Sequence, residues 1–417
     1  MMNKLSHQFT DKQYAIYRDV MKKDWFLCIL YGAKRTGKTI FNNYMFLEEV
    51  LNVRERATKL GIRNPQYILA GYTLGTIQKN VLEELTNMYG LEFAFDKYNR
   101  FKLFGVTIVQ TPHGNVKGLA AIRGMTSFGA YVNEASLAHP AVFDEIKSRC
   151  SGEGARILSD TNPDHPEHWL LKDYIQNDDE SIISYHFELD DNTFLSERYR
   201  KNIKATTPSG MLYDRNILGL WVSGDGLVYK DFDKDLHSIS RESLEKIPIK
   251  QYFCGVDWGF EHHGVIVVIG VGYDGKYYLV EEHAKQHMFI EEWLSVAMDI
   301  KSRYSDIPFY CDSARPEHVA KFQDEGINAI YADKRIMRGV ELVAHYFKND
   351  KLRILYDACP RFASEIYNYA WDSKKDLPTK EYDDVMDAMR YALLTFVETF
   401  EQRSVEDEID LIQQLGI

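Results

Sequence analysis

The stretch Gly32-Ala33-Lys34-Arg35-Thr36-Gly37-Lys38-Thr39 carries the spacing G-x-x-x-x-G-K-T. Two glycines let a backbone wrap phosphate with its N–H groups, the lysine reaches the β/γ-phosphates, and the threonine hydroxyl can ligate Mg²⁺. Gly32, Arg35, Thr36, Gly37, Lys38 and Thr39 are therefore the expected nucleotide contacts, with ATP and Mg²⁺ as the expected cofactors. Such a loop calls for an acid at the end of a later strand, and Tyr131-Val132-Asn133-Glu134 supplies one. Glu134 can polarise a water. Asn133 stands where an aspartate is usual; its amide can hydrogen-bond a metal-bound water but adds no charge. Three weaker signals accompany these. Gln13 is a candidate reader of the adenine edge, Asn162 in Thr161-Asn162-Pro163 a candidate γ-phosphate sensor, and Arg123 or Arg35 a candidate arginine finger.

A second constellation is acidic. Asp257 follows the apolar run Tyr252–Val256, Asp312 ends Pro308–Cys311, and Asp383, Asp384 and Asp387 open a helical stretch. Asp383 and Asp387, four apart, share one helix face, and Asp384 and Asp387, three apart, are also neighbours. Two strand-end aspartates and a helical one make a hard oxygen site for Mg²⁺ or Mn²⁺. Such a site can hold two ions ~4 Å apart and stabilise both the attacking water and the leaving oxygen of a phosphodiester. Basic residues at Lys334, Arg335 and Arg338, read as a loop, and at Arg198, Arg200, Lys201 and Lys204 could meet DNA phosphate without reading sequence. His262-His263 reads as surface.

The elements that must position these groups alternate strand and helix, the pattern of parallel sheets with crossover helices. Trp25–Tyr31 reads as a buried strand entering the phosphate loop, Thr39–Val53 as the helix leaving it, and Gln66–Ala70, Thr107–Gln110, Gly129–Asn133 and Arg156–Asp160 as further strands. Residues 163–222 read as a more helical and polar lid. The Gly-dense segment Gly219–Tyr229 is the expected boundary. Beyond a linker at 223–248, a strand, a hairpin about Asp274-Gly275, a helix, a strand, a helix, a strand and a last helix fit a ribonuclease-H-like sheet over 249–400. An acidic tail occupies 401–417. The whole is 417 residues with 45% hydrophobic and 27% charged residues, ordinary globular proportions that exclude global disorder. The net charge of −12 weighs against a protein that coats nucleic acid, though not against an enzyme that clusters its acids. No apolar run approaches the ~18 residues of a membrane span. Five scattered cysteines suit a reducing cytoplasm and give no disulfide or zinc pattern.

Taken in order, Gly32–Thr39, Asn133-Glu134, Thr161-Asn162-Pro163, Ile217–Trp221, Val256-Asp257-Trp258-Gly259, Asp312-Ser313-Ala314 and Asp387-Ala388-Met389-Arg390-Tyr391-Ala392 resemble the large terminase subunit of tailed bacteriophages. The resemblance runs from about residue 8 to 400. It implies an α/β architecture, a P-loop NTPase of the RecA-like type over 1–222 followed by an RNase H-like nuclease. It implies ATP-driven packaging of double-stranded DNA into a procapsid and endonucleolytic cutting of the concatemer. It also implies a ring, commonly of five subunits, docked transiently on the portal protein in the host cytoplasm, absent from the mature virion, with a small terminase subunit choosing the DNA and no membrane. By position Lys38 and Thr39 match nucleotide contacts, Glu134 the catalytic glutamate, Arg123 the arginine acting across subunits, and Asp257 and Asp312 the first two nuclease acids. Aligning the last motif on Asp387-Ala388 puts Asp384 where many relatives have His, which makes Asp384 the preferred third ligand. Asp383 and Asp387 stay open. Two rivals remain: a helicase-type repair nuclease, which lacks room for a second motor lobe, and a scaffold that binds ATP without turnover, favoured only by Asn133.

Overall fold

The computed structural model describes residues 8–372 and 374–415, with side chains described up to residue 399. It divides into two units. The first holds residues up to Ala205 together with Tyr213–Ser223; the second holds Thr206–Leu212 and everything from Gly224.

In the first unit, helix α1 (Asp11–Val20) precedes strand β1 (Leu27–Gly32), which runs into helix α2 (Lys38–Lys59). Strands β2 (Gln66–Gly71), β3 (Arg100–Leu103), β4 (Val106–Pro112), β5 (Gly129–Val132), β6 (Arg156–Thr161) and β7 (Ile182–Phe187) complete one sheet in the order β3-β4-β2-β5-β6-β1-β7. All strands are parallel except β3, which pairs antiparallel with β4 at the edge. Alternation along β1 sends Leu27 and Ile29 to one core and Cys28 and Leu30 to the other, so both faces are covered. Two strands went unread in the sequence. β3 and β7 are edge strands, and β7 is only half-buried for five of its six residues. A strand with one solvated face and a polar setting leaves a faint apolar signal. The expected helical lid of 163–222 is corrected accordingly: β7 lies inside it and pairs with β1 along its whole length.

In the second unit, β8 (Ile249–Asp257), β9 (Gly264–Gly272) and β10 (Tyr277–Lys285) form an antiparallel meander turning at Asp274-Gly275. After helix α3 (Ile290–Tyr304), strand β11 (Phe309–Cys311) pairs parallel with β8. Helix α4 (Pro316–Asp324) leads to β12 (Ala329–Tyr331), and helix α5 (Ile336–Lys348) leads to β13 (Leu352–Ile354), which closes the order β12-β11-β8-β9-β10-β13. Arg338, read as loop, is therefore helical. Short helix α6 (Pro360–Glu365) and long helix α7 (Asp384–Leu415) follow. The expected linker is no free tether: Leu227 bridges Ala370 and Ser238 bridges Ile354 within the second unit. The tail expected at 401–417 has a helical backbone to Leu415, while its side chains and residues 416–417 lie outside the described residues. All five cysteines are buried and free. Among the described residues no helix is long and apolar enough to cross a membrane.

Candidate functional site

The loop after β1 is shaped by close backbone approach. Gly32 has φ 135°, and a Cβ there would stand 2.0 Å from the Phe187 carbonyl oxygen of β7, so only glycine fits. The Ala33 amide donates to that same carbonyl at 2.8 Å. Gly37, with φ 83°, turns the chain into α2. Lys38 is 6% exposed, and its ammonium donates to the Gly32 carbonyl (3.0 Å), the Ala33 carbonyl (2.5 Å), the Thr36 hydroxyl (3.2 Å) and Asn162 Oδ1 (3.2 Å). Burial pushes its pKa down to about 8, against the opposing pull of Asp160 and Glu134. Lys38 and Asn162 thus sit in direct contact, although 124 residues separate them. Thr39 is half-buried at the helix start.

Gln13 has a different task from the one expected. Its Oε1 accepts the Thr10 amide at 2.8 Å in a capping box, and its Nε2 donates to the Gly37 carbonyl at 3.0 Å. Both ends of the amide are turned inward, bracing the loop rather than facing a base. Arg123 and Arg35 are both exposed, Arg35 in the left-handed region at φ 59°.

Behind the loop lies a network the sequence did not announce. Asp160, at the end of β6 and 2% exposed, accepts the Tyr131 hydroxyl (2.7 Å), the Asn133 amide Nδ2 (2.8 Å) and the Glu134 backbone N–H (3.0 Å). Asn133 is held in turn by Asn80, which donates to its Oδ1 at 3.0 Å, and by His113, whose Nε2 lies 2.7 Å from its carbonyl. Burial, then the Asp160 charge, raises the Glu134 pKa, which suits a group that must take a proton. Asp160 itself is raised by burial. Asn42 and Asn43 of α2 each keep a buried Oδ1 without a hydrogen-bond partner. Asn42, whose Nδ2 lies 3.5 Å from Asp160, brings a buried acceptor without a partner next to a buried acid, a donor set that fits a hydrated cation with its nucleotide.

In the second unit, register places the acids. Cys311 pairs with Val256, so Asp257 and Asp312 stand side by side at the ends of neighbouring strands. A Cβ on Gly255 would meet the Ala388 carbonyl oxygen at 2.0 Å, so helix α7 crosses β8 in backbone contact and brings its first turn alongside. Burial raises the Asp257 pKa well above the usual carboxylate range, and Asp387, Asp312, Asp383 and Asp384 add to the shift in that order. The five acids are therefore neighbours. They are not a closed cage: among the described residues no three acidic, imidazole or thiol side chains are gathered tightly enough to hold one ion. The physical reason is visible in their partners. Lys334 binds Asp312, Lys380 bridges Asp383 (3.2 Å) and Asp387 (3.1 Å), Arg361 holds Asp384 (2.8 Å), and buried Arg390 holds Asp387 (2.8 Å). Asp257 alone of the five has neither cation nor hydrogen-bond donor on its carboxylate among the described residues. Four acidic charges around an unpaired carboxylate, all hard oxygen donors, fit a divalent cation.

Asp384, preferred as the third ligand, is tied to Arg361 and has His263 at 3.7 Å, so that histidine is less peripheral than expected. Asp387 is 4% exposed, is the acid whose charge acts most strongly on Asp257, and is itself held by Lys380 and Arg390. Two further acids were missed. Glu282 accepts the amides of Arg361 and Phe362 at the start of α6, and Glu365 accepts those of Val385 (2.8 Å) and Met386 (3.4 Å) at the start of α7. This relay of caps aims the helix that carries the aspartates.

Two family models match the chain: "Terminase large subunit, T4likevirus-type, N-terminal" over residues 29–234 and "Terminase RNaseH-like domain" over 254–396. Among solved structures, the large terminase of a thermophilic bacteriophage is similar over 92% of this chain and 98% of its own, with 24% identity and a TM-score of 0.77. The complexes of that terminase with ADP and with ATP-gamma-S give TM-scores of 0.76 and 0.74. At that identity the likeness speaks for the fold: an α/β P-loop sheet followed by an RNase H-like sheet. No curated protein matches the chain.

Proposed function

The chain belongs to the family of large terminase subunits, and from that premise we propose that it is the ATP-driven motor and the metal-dependent endonuclease of viral DNA packaging. The motor threads double-stranded DNA into a procapsid, and the nuclease cuts the concatemer. The observation that supports this most is that each unit gathers a charged constellation at the ends of its paired strands. In the first these are Lys38, Asn162, Asp160 and Glu134; in the second, Asp257 and Asp312 beside the first turn of α7.

In the first unit the loop amides and Lys38 would hold the phosphates, the Thr39 hydroxyl and the Asn133–Asp160 pair would meet a bound cation, and Glu134 would take the proton of the attacking water. Asn162, bonded to Lys38, is placed to feel a change at the γ-phosphate. Arg123 or Arg35, both exposed, serves as the finger, from this subunit or a neighbour in a ring. In the second unit Asp257 and Asp312, with a third acid from Asp387, Asp384 or Asp383, would hold the cation. Lys334 and Lys380 have side chains 38% and 71% exposed on flexible stems, so they can swing away as it enters. Mg²⁺ or Mn²⁺, when bound, supplies charge to stabilise the developing oxyanions at either site. The family implies the portal protein, the small terminase subunit and a ring of commonly five subunits as partners.

The test separates the two activities. Lys38→Ala should abolish DNA-stimulated phosphate release and leave plasmid cutting measurable, whereas Asp257→Asn should do the reverse. Loss of both activities in either well-folded variant would refute the assignment of one chemistry to each unit.

A further inference from the structure

Asn133 leaves the strand end of β5 without the acid that a nucleotide-bound cation ordinarily meets there. The structure carries a buried carboxylate one strand closer to the phosphate loop. β6 lies between β5 and β1; Val132 pairs with Ser159, and Leu30 pairs with Asp160. Asp160 is thus opposite the strand that enters the loop, and its charge acts on both Lys38 and Glu134.

We propose that Asp160 supplies the negative charge for the nucleotide's Mg²⁺ that residue 133 lacks, and that Asn133 is the amide that positions it. This rests on the reading of the first unit as an ATPase. The contact between the two explains why both residues are what they are. Asn133 Nδ2 donates to Asp160 Oδ1 at 2.8 Å, whereas an aspartate at 133 would set two like charges at hydrogen-bond distance. A carboxylate has about four acceptor positions. Three on Asp160 are filled by Tyr131, Asn133 and the Glu134 amide, and the fourth is met only by Asn42 Nδ2 at 3.5 Å. The other end of that same Asn42 amide, its Oδ1, is a buried acceptor without a hydrogen-bond partner, so an oxygen with spare capacity belongs to the residue that approaches Asp160. Asn42 stands three residues beyond Thr39, hence on the same side of α2 as the loop's hydroxyl ligand. A purely structural acid would need none of this spare capacity.

The experiment is a fluorescent-ADP titration with EDTA and with Mg²⁺. In the wild type Mg²⁺ should tighten binding. Asp160→Asn should lose about tenfold or more of that tightening, with a clearly smaller change in metal-free binding. The exchanged pair Asn133→Asp/Asp160→Asn should recover most of it, with phosphate release following. Unaltered Mg²⁺ tightening in Asp160→Asn would overturn the proposal. So would an equal loss of metal-free binding, which would mark Asp160 as a support of the loop, or a well-folded exchanged pair that recovers nothing. Should Asp160→Asn not fold, Asn133→Asp carries the test: no gain in Mg²⁺ tightening supports the proposal, and a gain of about tenfold would mean the charge had been missing all along. Failure of the wild type to bind nucleotide at all would instead refute the ATPase reading.

Discussion

In the first unit the buried Asp160 is satisfied by neutral donors, namely a tyrosine hydroxyl, an asparagine amide and a backbone N–H. In the second unit the acids beside Asp257 are held by Lys334, Lys380, Arg361 and Arg390, and Asp257 is left to their field. Neutral donors orient a carboxylate without cancelling its charge, so on the proposed reading the first site would be arranged for a cation in advance. Protein cations cancel the charge and must be outcompeted, so the second site is arranged by the ion that enters it. Affinity for metal should therefore be a property of geometry in one unit and of competition in the other.

The largest test of that contrast is a matched pair of glycine substitutions. Gly255→Val would drive side-chain atoms into the Ala388 carbonyl, and Gly32→Ala into the Phe187 carbonyl. Each should cost roughly 1–3 kcal/mol or more of local stability. Gly255→Val should abolish plasmid cutting while nucleotide binding persists, and Gly32→Ala the converse; cleavage assays and nucleotide titrations on the same preparations read both.

A smaller effect concerns pH. Burial lifts the Glu365 pKa to about 7. The folded state then holds a proton that the unfolded state, with its ordinary carboxyl near 4.5, has lost, so stability should fall as pH rises from about 4.5 to about 7. The contribution is at most roughly 3 kcal/mol. Urea unfolding in EDTA across this range should show the decline, and Glu365→Gln should flatten it. A wild-type curve that rises with pH and is unchanged by the substitution would contradict this.

The smallest effect sharpens the competition argument. Lys334→Ala removes the cation on Asp312, and the Mn²⁺ concentration giving half-maximal cutting should drop about threefold, the scale of a part-exposed ion pair. A Mn²⁺ titration of cleavage checks it. No such drop is expected for substitutions around Asp160, where no protein cation holds the carboxylate.

Legibility in the sequence followed the same divide. The phosphate loop was readable because its chemistry is contiguous: Gly32 to Thr39 carry it between an apolar strand and a helix. Asp257 and Asp312 were readable because each closes a short apolar run. Asp160 was not, since its role exists only through the β5–β6 register that sets it against Asn133. The bracing role of Gln13 was not legible either, because it depends on a capping box with Thr10 and on the Gly37 carbonyl 24 residues away. The surroundings of Asp383, Asp384 and Asp387 could not follow from spacing, because the cations that hold them, Arg361, Lys380 and Arg390, come from other elements or from a later turn of the helix. Glu282 and Glu365 cap helices far along the chain, a relation without a local signature. β7 hid because an edge strand with one wet face has little periodic apolar content.

That late strand has a consequence for biogenesis. β1 takes its hydrogen bonds from β6 and β7, both far downstream, and Gly32 and Ala33 are shaped by the Phe187 carbonyl. The nucleotide loop is translated well before β7 and cannot be locked until the ribosome has delivered that strand. Pairings of such long sequence separation form slowly. During that interval the apolar β1 segment needs protection from premature association.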